Sequence, residues 1–338
     1  MNTTWTEYLA QAGATLDAGQ VRFPGAPDEG ATVAVPLTHL GLIRSRGEES
    51  APFLHNLLSN EVNKLAEDAA TLNSFNTPKG RMLASLLMWR EADGHLIALS
   101  ADILPGILKK LSMYILRSKV KLTDASGEFA LIGVSGPKAA DVLAAAGLPR
   151  PQEPMRHAAA GDGRVVRITQ DSYVVAAPLA DAPARFAALR EAGAAAAGTD
   201  AWTLAMIRAG LPLVTAATQE AFVAQMLNFE LIGGVSFHKG CYPGQEIVAR
   251  TQYLGKLKKR TFRVHIEAGA APAPATDLYA PDFGEQSAGQ LVNVAPAPGG
   301  GYEALAVLQV SSHEGGEVHV GATDGPRLTF LDLPYALG

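Results

Sequence analysis

One cysteine, Cys241, stands in a chain of 338 residues. No internal disulfide can form, and a reducing compartment, the cytoplasm, is the expected setting. The chain cannot hold an iron–sulfur cluster on cysteines of its own, because such a cluster takes four cysteine ligands or a Cys/His mixture. Eight histidines are scattered at positions 39, 55, 95, 157, 238, 265, 313 and 319. None shows the i, i+4 spacing of a helical zinc site, and no permanently bound metal is expected. No run approaches the ~20 apolar residues of a membrane span. Met1 to Tyr8 carry neither a basic nor an apolar stretch, so no secretory signal is expected. Charged residues make up only 18% and the net charge is −5, which gives no support to bulk nucleic-acid binding. Walker A, GxGxxG and GxSxG patterns are missing, and Gly133-Val134-Ser135-Gly136 fails the last by one residue.

What the chain does have is concentrated around that cysteine, in His238-Lys239-Gly240-Cys241-Tyr242-Pro243-Gly244-Gln245-Glu246-Ile247-Val248-Ala249-Arg250. Pro243 reads as a turn entering a helix, because proline is accommodated in the first turn, where its missing N–H costs nothing. Cys241 then lies just before a helix N-terminus, where unpaired N–H groups and the helix dipole favour an anion, and Lys239 adds a positive charge two residues away. These neighbours favour a thiol pKa below its free value near ~8.5. The competing reading is a small, buried, inert hydrophobe. Gly240 and Gly244 bracket the cysteine and imply a sharp turn or a close approach. Glu246 and Arg250, four apart, are expected to pair on the helix surface.

Elsewhere, the apolar positions between Phe53 and Leu65 predict one helix and those from Ala101 to Arg117 a second, with Pro105 in its first turn. Phe129 to Val134 predicts a buried strand, followed by a helix from Gly136-Pro137-Lys138 to Gly147. Strands over Arg164 to Thr169 and Tyr173 to Ala177 and a helix over Ala182 to Ala192 complete a split α+β unit. From Thr261 onward, short β-rich runs alternate with Gly/Pro turns and predict a small β-barrel or sandwich.

Lys239-Gly240-Cys241-Tyr242-Pro243-Gly244-Gln245-Glu246, with Val248-Ala249-Arg250 after it, resembles the signature of the YgfZ family of folate-binding proteins, in the superfamily of the glycine-cleavage T-protein (aminomethyltransferase). The resemblance continues in Ala209-Gly210-Leu211-Pro212, Gln225, Asn228 and Gly233 to Phe237, and in Phe53-Leu54, Ser59 to Val62, Pro78-Lys79-Gly80-Arg81 and Arg117 to Val120. It covers about residues 35 to 265.

The fold it implies is α+β, two interleaved α+β units plus a C-terminal β-barrel. Residues 20–128 with 200–255 would form the folate-binding domain, 129–199 the split unit and 256–338 the barrel. The implied function is a tetrahydrofolate-binding accessory protein for assembly or repair of iron–sulfur clusters, with reduced folate and transient iron–sulfur client or assembly proteins as partners. Cys241 would be the reactive group or transient ligand. Lys239, Gly240, Tyr242, Gly244, Gln245, Glu246 and Arg250 would form its loop, Gln225 and Asn228 would face the pterin edge, and Arg250, Lys256, Lys258, Lys259 and Arg260 would supply charge for the folate carboxylates.

Two alternatives compete. A folate-dependent aminomethyl transferase needs the acidic residue that T-proteins carry after the glycine turn; here the run is Met82-Leu83-Ala84-Ser85-Leu86, and Glu61 or Asp68 would have to replace it. Met206 and Arg208 also depart from the residues the superfamily carries there. A cysteine-nucleophile enzyme would pair Cys241 with His238, although such bases usually lie far away in sequence.

Overall fold

A computed structural model describes residues 3–253, 255 and 257–337, so Lys256 of the basic run lies outside the described residues. The chain folds as two compact units. Unit 1 takes the N-terminal segment to Phe53, Val62–Thr71 and Leu87–Trp202; unit 2 takes Leu54–Glu61, Leu72–Leu86 and the chain from Thr203.

In unit 1, the Val- and Ala-rich strands Phe129–Ser135 and Ser172–Pro178 pair antiparallel, with Tyr173 opposite Val134. They sit at the centre of a six-stranded sheet in the order His157–Ala160, Gly163–Arg167, Ser172–Pro178, Phe129–Ser135, Val33–Pro36, Ala195–Ala196. Helices Thr3–Gln11, Ala139–Ala145 and Ala182–Glu191 accompany it. Ile132, Val175, Trp5, Leu9, Phe186 and Leu189 share one buried cluster. In the same unit, Leu40–Arg46 pairs antiparallel with Gly94–Ser100 on one side and Lys121–Asp124 on the other. Helix Leu104–Ser112 has its proline in the first turn and buries Leu104, Ile107 and Leu111.

In unit 2, the region from Lys259 forms a curled six-stranded antiparallel sheet, in the order His319–Val320, Asp277–Tyr279, Ser287–Pro296, Tyr302–Gln309, Lys259–Ile266, Leu328–Leu331. Its edges come together where His319 bridges Arg327 and the Leu328 N–H donates to the Val318 carbonyl at 2.8 Å. Alternate residues feed two cores, as the two-residue strand period requires. Val264, Leu291 and Leu308 join one cluster, while Val292, Leu305 and Val307 join Met82, Ile207, Phe229 and Val248 in the other.

The helix expected from Phe53 to Leu65 ends early, at His55. The cause lies in Ser59 and Asn60, whose side chains bind backbone that a helix would have to do without. Ser59 Oγ donates to the Gly234 carbonyl at 2.6 Å and accepts the Ser74 N–H at 2.7 Å. Asn60 Nδ2 donates to the carbonyls of Leu72 and Gly233.

Candidate functional site around Cys241

The Cys241 loop is built inside unit 2 and pinned at both ends. On its N-terminal side, the Ser236 N–H donates to the Ser59 carbonyl at 3.0 Å, and Lys239 turns inward. Lys239 is 8% exposed. Its Nζ donates to the Leu58 carbonyl at 2.6 Å and to that of His55, the last residue of its helix. A cation suits the carbonyl end of a helix. Nζ also lies 4.8 Å from the centre of the Tyr242 ring, a cation–π contact. Burial lowers the Lys239 pKa to about 8, against the opposing charges of Glu61 and Cys241, so the ammonium persists at neutral pH. Burial alone pushes the Tyr242 hydroxyl up to about 12.

On its C-terminal side, Gly244 has φ +80° and packs against the turn at Gly80, φ +73°. A Cβ on Gly244 would lie 2.6 Å from the Thr77 carbonyl oxygen and 2.7 Å from Gly80 Cα. The two glycine turns singled out in the sequence are therefore in contact; Gly244 has no space for a side chain, and a Cβ on Gly80 would press on Ile247 at 3.0 Å. Helix Gln245–Tyr253 follows. It is held by buried Val248, whose carbonyl accepts from Gln225 Nε2 at 2.6 Å.

Between these anchors Cys241 is exposed, so the buried-hydrophobe reading is excluded. Helix Gln245–Tyr253 starts four residues after it, which places the thiol on the loop and not on the helix's first turn. Gln245 is partly buried, and Glu246 and Arg250 are exposed. The expected Glu246–Arg250 pair is not among the ion pairs of the described residues; exposed charges gain too little from pairing to fix two long side chains. His238, the histidine near in sequence, is exposed. The histidine beside the loop is His55: a Cβ built on Gly240 would lie 3.7 Å from His55 Nε2, and His55 Nδ1 lies 3.0 Å from Glu61 Oε1. The sequence held no direct signal for this neighbour.

Gln225 and Asn228 turn inward. Asn228, left-handed at φ 55°, donates from Nδ2 to the Thr261 carbonyl at 2.9 Å and accepts from Arg260 at 3.2 Å. Arg260 also pairs with Glu230 at 2.8 Å. Lys259 is partly buried, which lowers its pKa, while Lys258 and Arg250 remain exposed. Met206 is partly buried. Arg208 donates to Glu303 at 2.6 Å, as does Arg263 at 3.0 Å. Burial pushes the Glu303 carboxyl up, but those two guanidinium groups hold it below the usual carboxylate range.

None of Met82 to Leu86 carries a carboxylate, and all five are buried. Of the proposed substitutes, Glu61 is engaged by His55, and Asp68, in unit 1, is held by Arg156 at 2.8 Å.

A second feature of unit 2 escaped sequence reasoning. Asn73, Ser74 and Asn76 are at most 2% exposed. Asn73 Nδ2, Ser74 Oγ and both amide atoms of Asn76 have no partner among the described residues, and neither does Gln225 Oε1. Native proteins rarely leave such groups unsatisfied. The available signal was three polar residues within four positions of an apolar run. Among the described residues, no cluster of three or more His, Cys, Asp or Glu side chains could hold a metal ion, and no helix is long and apolar enough to cross a membrane.

Comparison with known proteins agrees with this architecture. Residues 31–221, more than half the chain, match the family model described as the GCVT N-terminal domain. The tRNA-modifying protein YgfZ of Edwardsiella ictaluri is 28% identical over 311 residues, covering 89% of this chain and 93% of its own. That of Colwellia psychrerythraea is 29% identical over 257 residues, 75% of this chain and 78% of its own. The crystal structure of the glycine cleavage system aminomethyltransferase T from Bartonella henselae superposes with a TM-score of 0.76 at 16% identity, covering 97% of this chain and 95% of that one. This likeness establishes the α+β fold with its curled C-terminal sheet. The chain belongs to the GCVT N-terminal domain family, and the relatives it resembles over most of its length are YgfZ proteins.

Proposed function

We propose that this protein is a cytoplasmic tetrahydrofolate-binding accessory factor that serves the assembly or repair of iron–sulfur clusters in client enzymes, with Cys241 as its reactive group. The observation that carries the reading is a single exposed thiol on a loop pinned from inside by Lys239 and from outside by the Gly80–Gly244 contact. A thiol so presented can reach a partner's cluster or sulfur. The relatives' name, tRNA-modifying protein, directs the reading toward clients that act on RNA.

The orphaned polar atoms of Ser74 and Asn76, which share one face of their strand, and of Gln225 suit a reduced folate, whose pterin edge offers donors and acceptors to an otherwise apolar surround. Asn76 and Ser74 would hold that edge after a small side-chain movement. The exposed cations Arg250 and Lys258 suit the carboxylates of the glutamate tail. When bound, the folate would supply a carrier for a one-carbon unit. The chain's residues would fix its orientation and leave the thiol in water. Aminomethyl transfer is the weaker reading, because the run from Met82 to Leu86 offers no carboxylate and Glu61 is engaged by His55.

The test is complementation in cells lacking the protein, read as the activity of an iron–sulfur enzyme. Cys241→Ala is expected to abolish rescue while purified protein keeps its tetrahydrofolate affinity within about twofold. Full rescue by the variant would overturn the assigned role of the thiol.

A further inference from the structure

Unit 1 carries a second candidate site, far in sequence from the cysteine motif. Residues 103 to 123 contain no Asp or Glu but five cations, Lys109, Lys110, Arg117, Lys119 and Lys121, in a chain of net charge −5. All five are exposed. Among the described residues only Lys119 has a carboxylate at ion-pair distance, that of Glu48 at 3.1 Å. The same stretch holds Met113, Tyr114 and Leu116, exposed by 70%, 45% and 89%. A folded protein gains nothing by itself from showing such side chains to water, and here they are interleaved with positive charge.

The segment runs into the wall of a cleft of about 870 Å³ whose charged lining is four cations, Arg46, Arg90, Lys119 and Lys121, against three carboxylates, Glu48, Glu91 and Asp93, with His95 beside them. All of these belong to unit 1. The Arg46–Asp93 pair, 2.8 Å apart, has both partners more than half exposed, so it contributes little and can open for another anion. His95 is 3% exposed; its Nδ1 is 2.9 Å from Ser50 Oγ, while its Nε2 has no partner.

We propose that this cleft and the segment from Lys109 to Lys121 form a binding surface for single-stranded RNA, with phosphates held by the cations and an unstacked base resting on Tyr114. Guanidinium and ammonium groups suit phosphodiesters, and an exposed aromatic ring suits a base of any sequence. A concave cleft accepts a strand, whereas a flat lipid surface cannot enter it. The choice of RNA over DNA rests on the RNA-directed reading above. The near-neutral charge of the whole molecule reports on bulk attraction and says nothing against a local stripe.

The test is fluorescence polarisation with the full-length protein and a labelled single-stranded RNA, a DNA of the same sequence and vesicles of anionic lipid. RNA binding is expected to weaken steeply between about 50 and 200 mM salt. Combined Arg117→Glu, Lys119→Glu and Lys121→Glu should weaken it at least about tenfold and flatten the salt dependence by roughly two units of slope. Tyr114→Ala should weaken it about tenfold with the slope unchanged. All these residues are exposed, so unchanged thermal unfolding confirms that the variants are folded. RNA affinity unaltered in the folded variants, DNA bound as well as RNA, or vesicles bound in place of RNA would each overturn the proposal. Tetrahydrofolate affinity measured on the same samples separates this outcome from failure of the folate reading.

Discussion

Lys239 illustrates how a residue's place in a motif differs from its work in the fold. Its sequence position suggests a cation standing beside the thiol, yet its ammonium is buried and bonded to the carbonyls of His55 and Leu58. Lys239→Met would keep the stem packed near Tyr242 and leave both carbonyls without their donor. Such a loss costs roughly 1–3 kcal/mol. The urea midpoint of the variant should fall accordingly; an unchanged midpoint would show that the inward-facing ammonium does not hold the loop. The environment of Cys241 was only half legible in the sequence. The thiol and its flanking glycines could be read directly, whereas His55 reaches Gly240 through a fold contact that no local pattern encodes.

At the scale of elements, apolar or β-branched runs bounded by turns could be read from the sequence. Phe129–Ser135, Ser172–Pro178 and the C-terminal strands fall close to the expected positions. Ala70–Asn76 and Met82–Glu91 did not announce themselves, because the first buries the polar residues Asn73, Ser74 and Asn76 and the second holds no β-branched residue. The turn between them is the one that meets Gly244. Gly244→Ala combines a left-handed backbone with a Cβ 2.6 Å from a carbonyl oxygen, and is expected to cost about 2 kcal/mol or more. Calorimetric unfolding should show the melting temperature lowered by several degrees. A melting temperature equal to that of the wild type would mean that the two turns are not in contact.

At the scale of the whole molecule, acid sensitivity should originate in unit 1. Burial, with a smaller effect from Arg90, lowers the His95 pKa from 6.5 to about 4; His157 falls to about 4 as well, through burial and Arg164. A depressed folded-state pKa means that stability is fully present above the unfolded value and is lost as pH falls from about 6.5 toward 4. For His95 the loss by pH 5 is on the order of 1–2 kcal/mol. Denaturant midpoints measured at pH 7.5 and pH 5 should therefore differ, and His95→Gln should reduce the difference. A variant as acid-sensitive as the wild type would assign the effect to other groups.

A reduced folate bound in unit 2 is tested most directly by an anaerobic calorimetric titration with tetrahydrofolate on the wild type and Asn76→Leu. Leucine matches the size of the buried amide and removes two unpartnered polar atoms, so the variant should be at least as stable as the wild type. Saturable one-to-one binding at micromolar or better affinity is expected, weakened about tenfold or more in the folded variant. Absence of binding to the wild type, or equal affinity in Asn76→Leu, would contradict it.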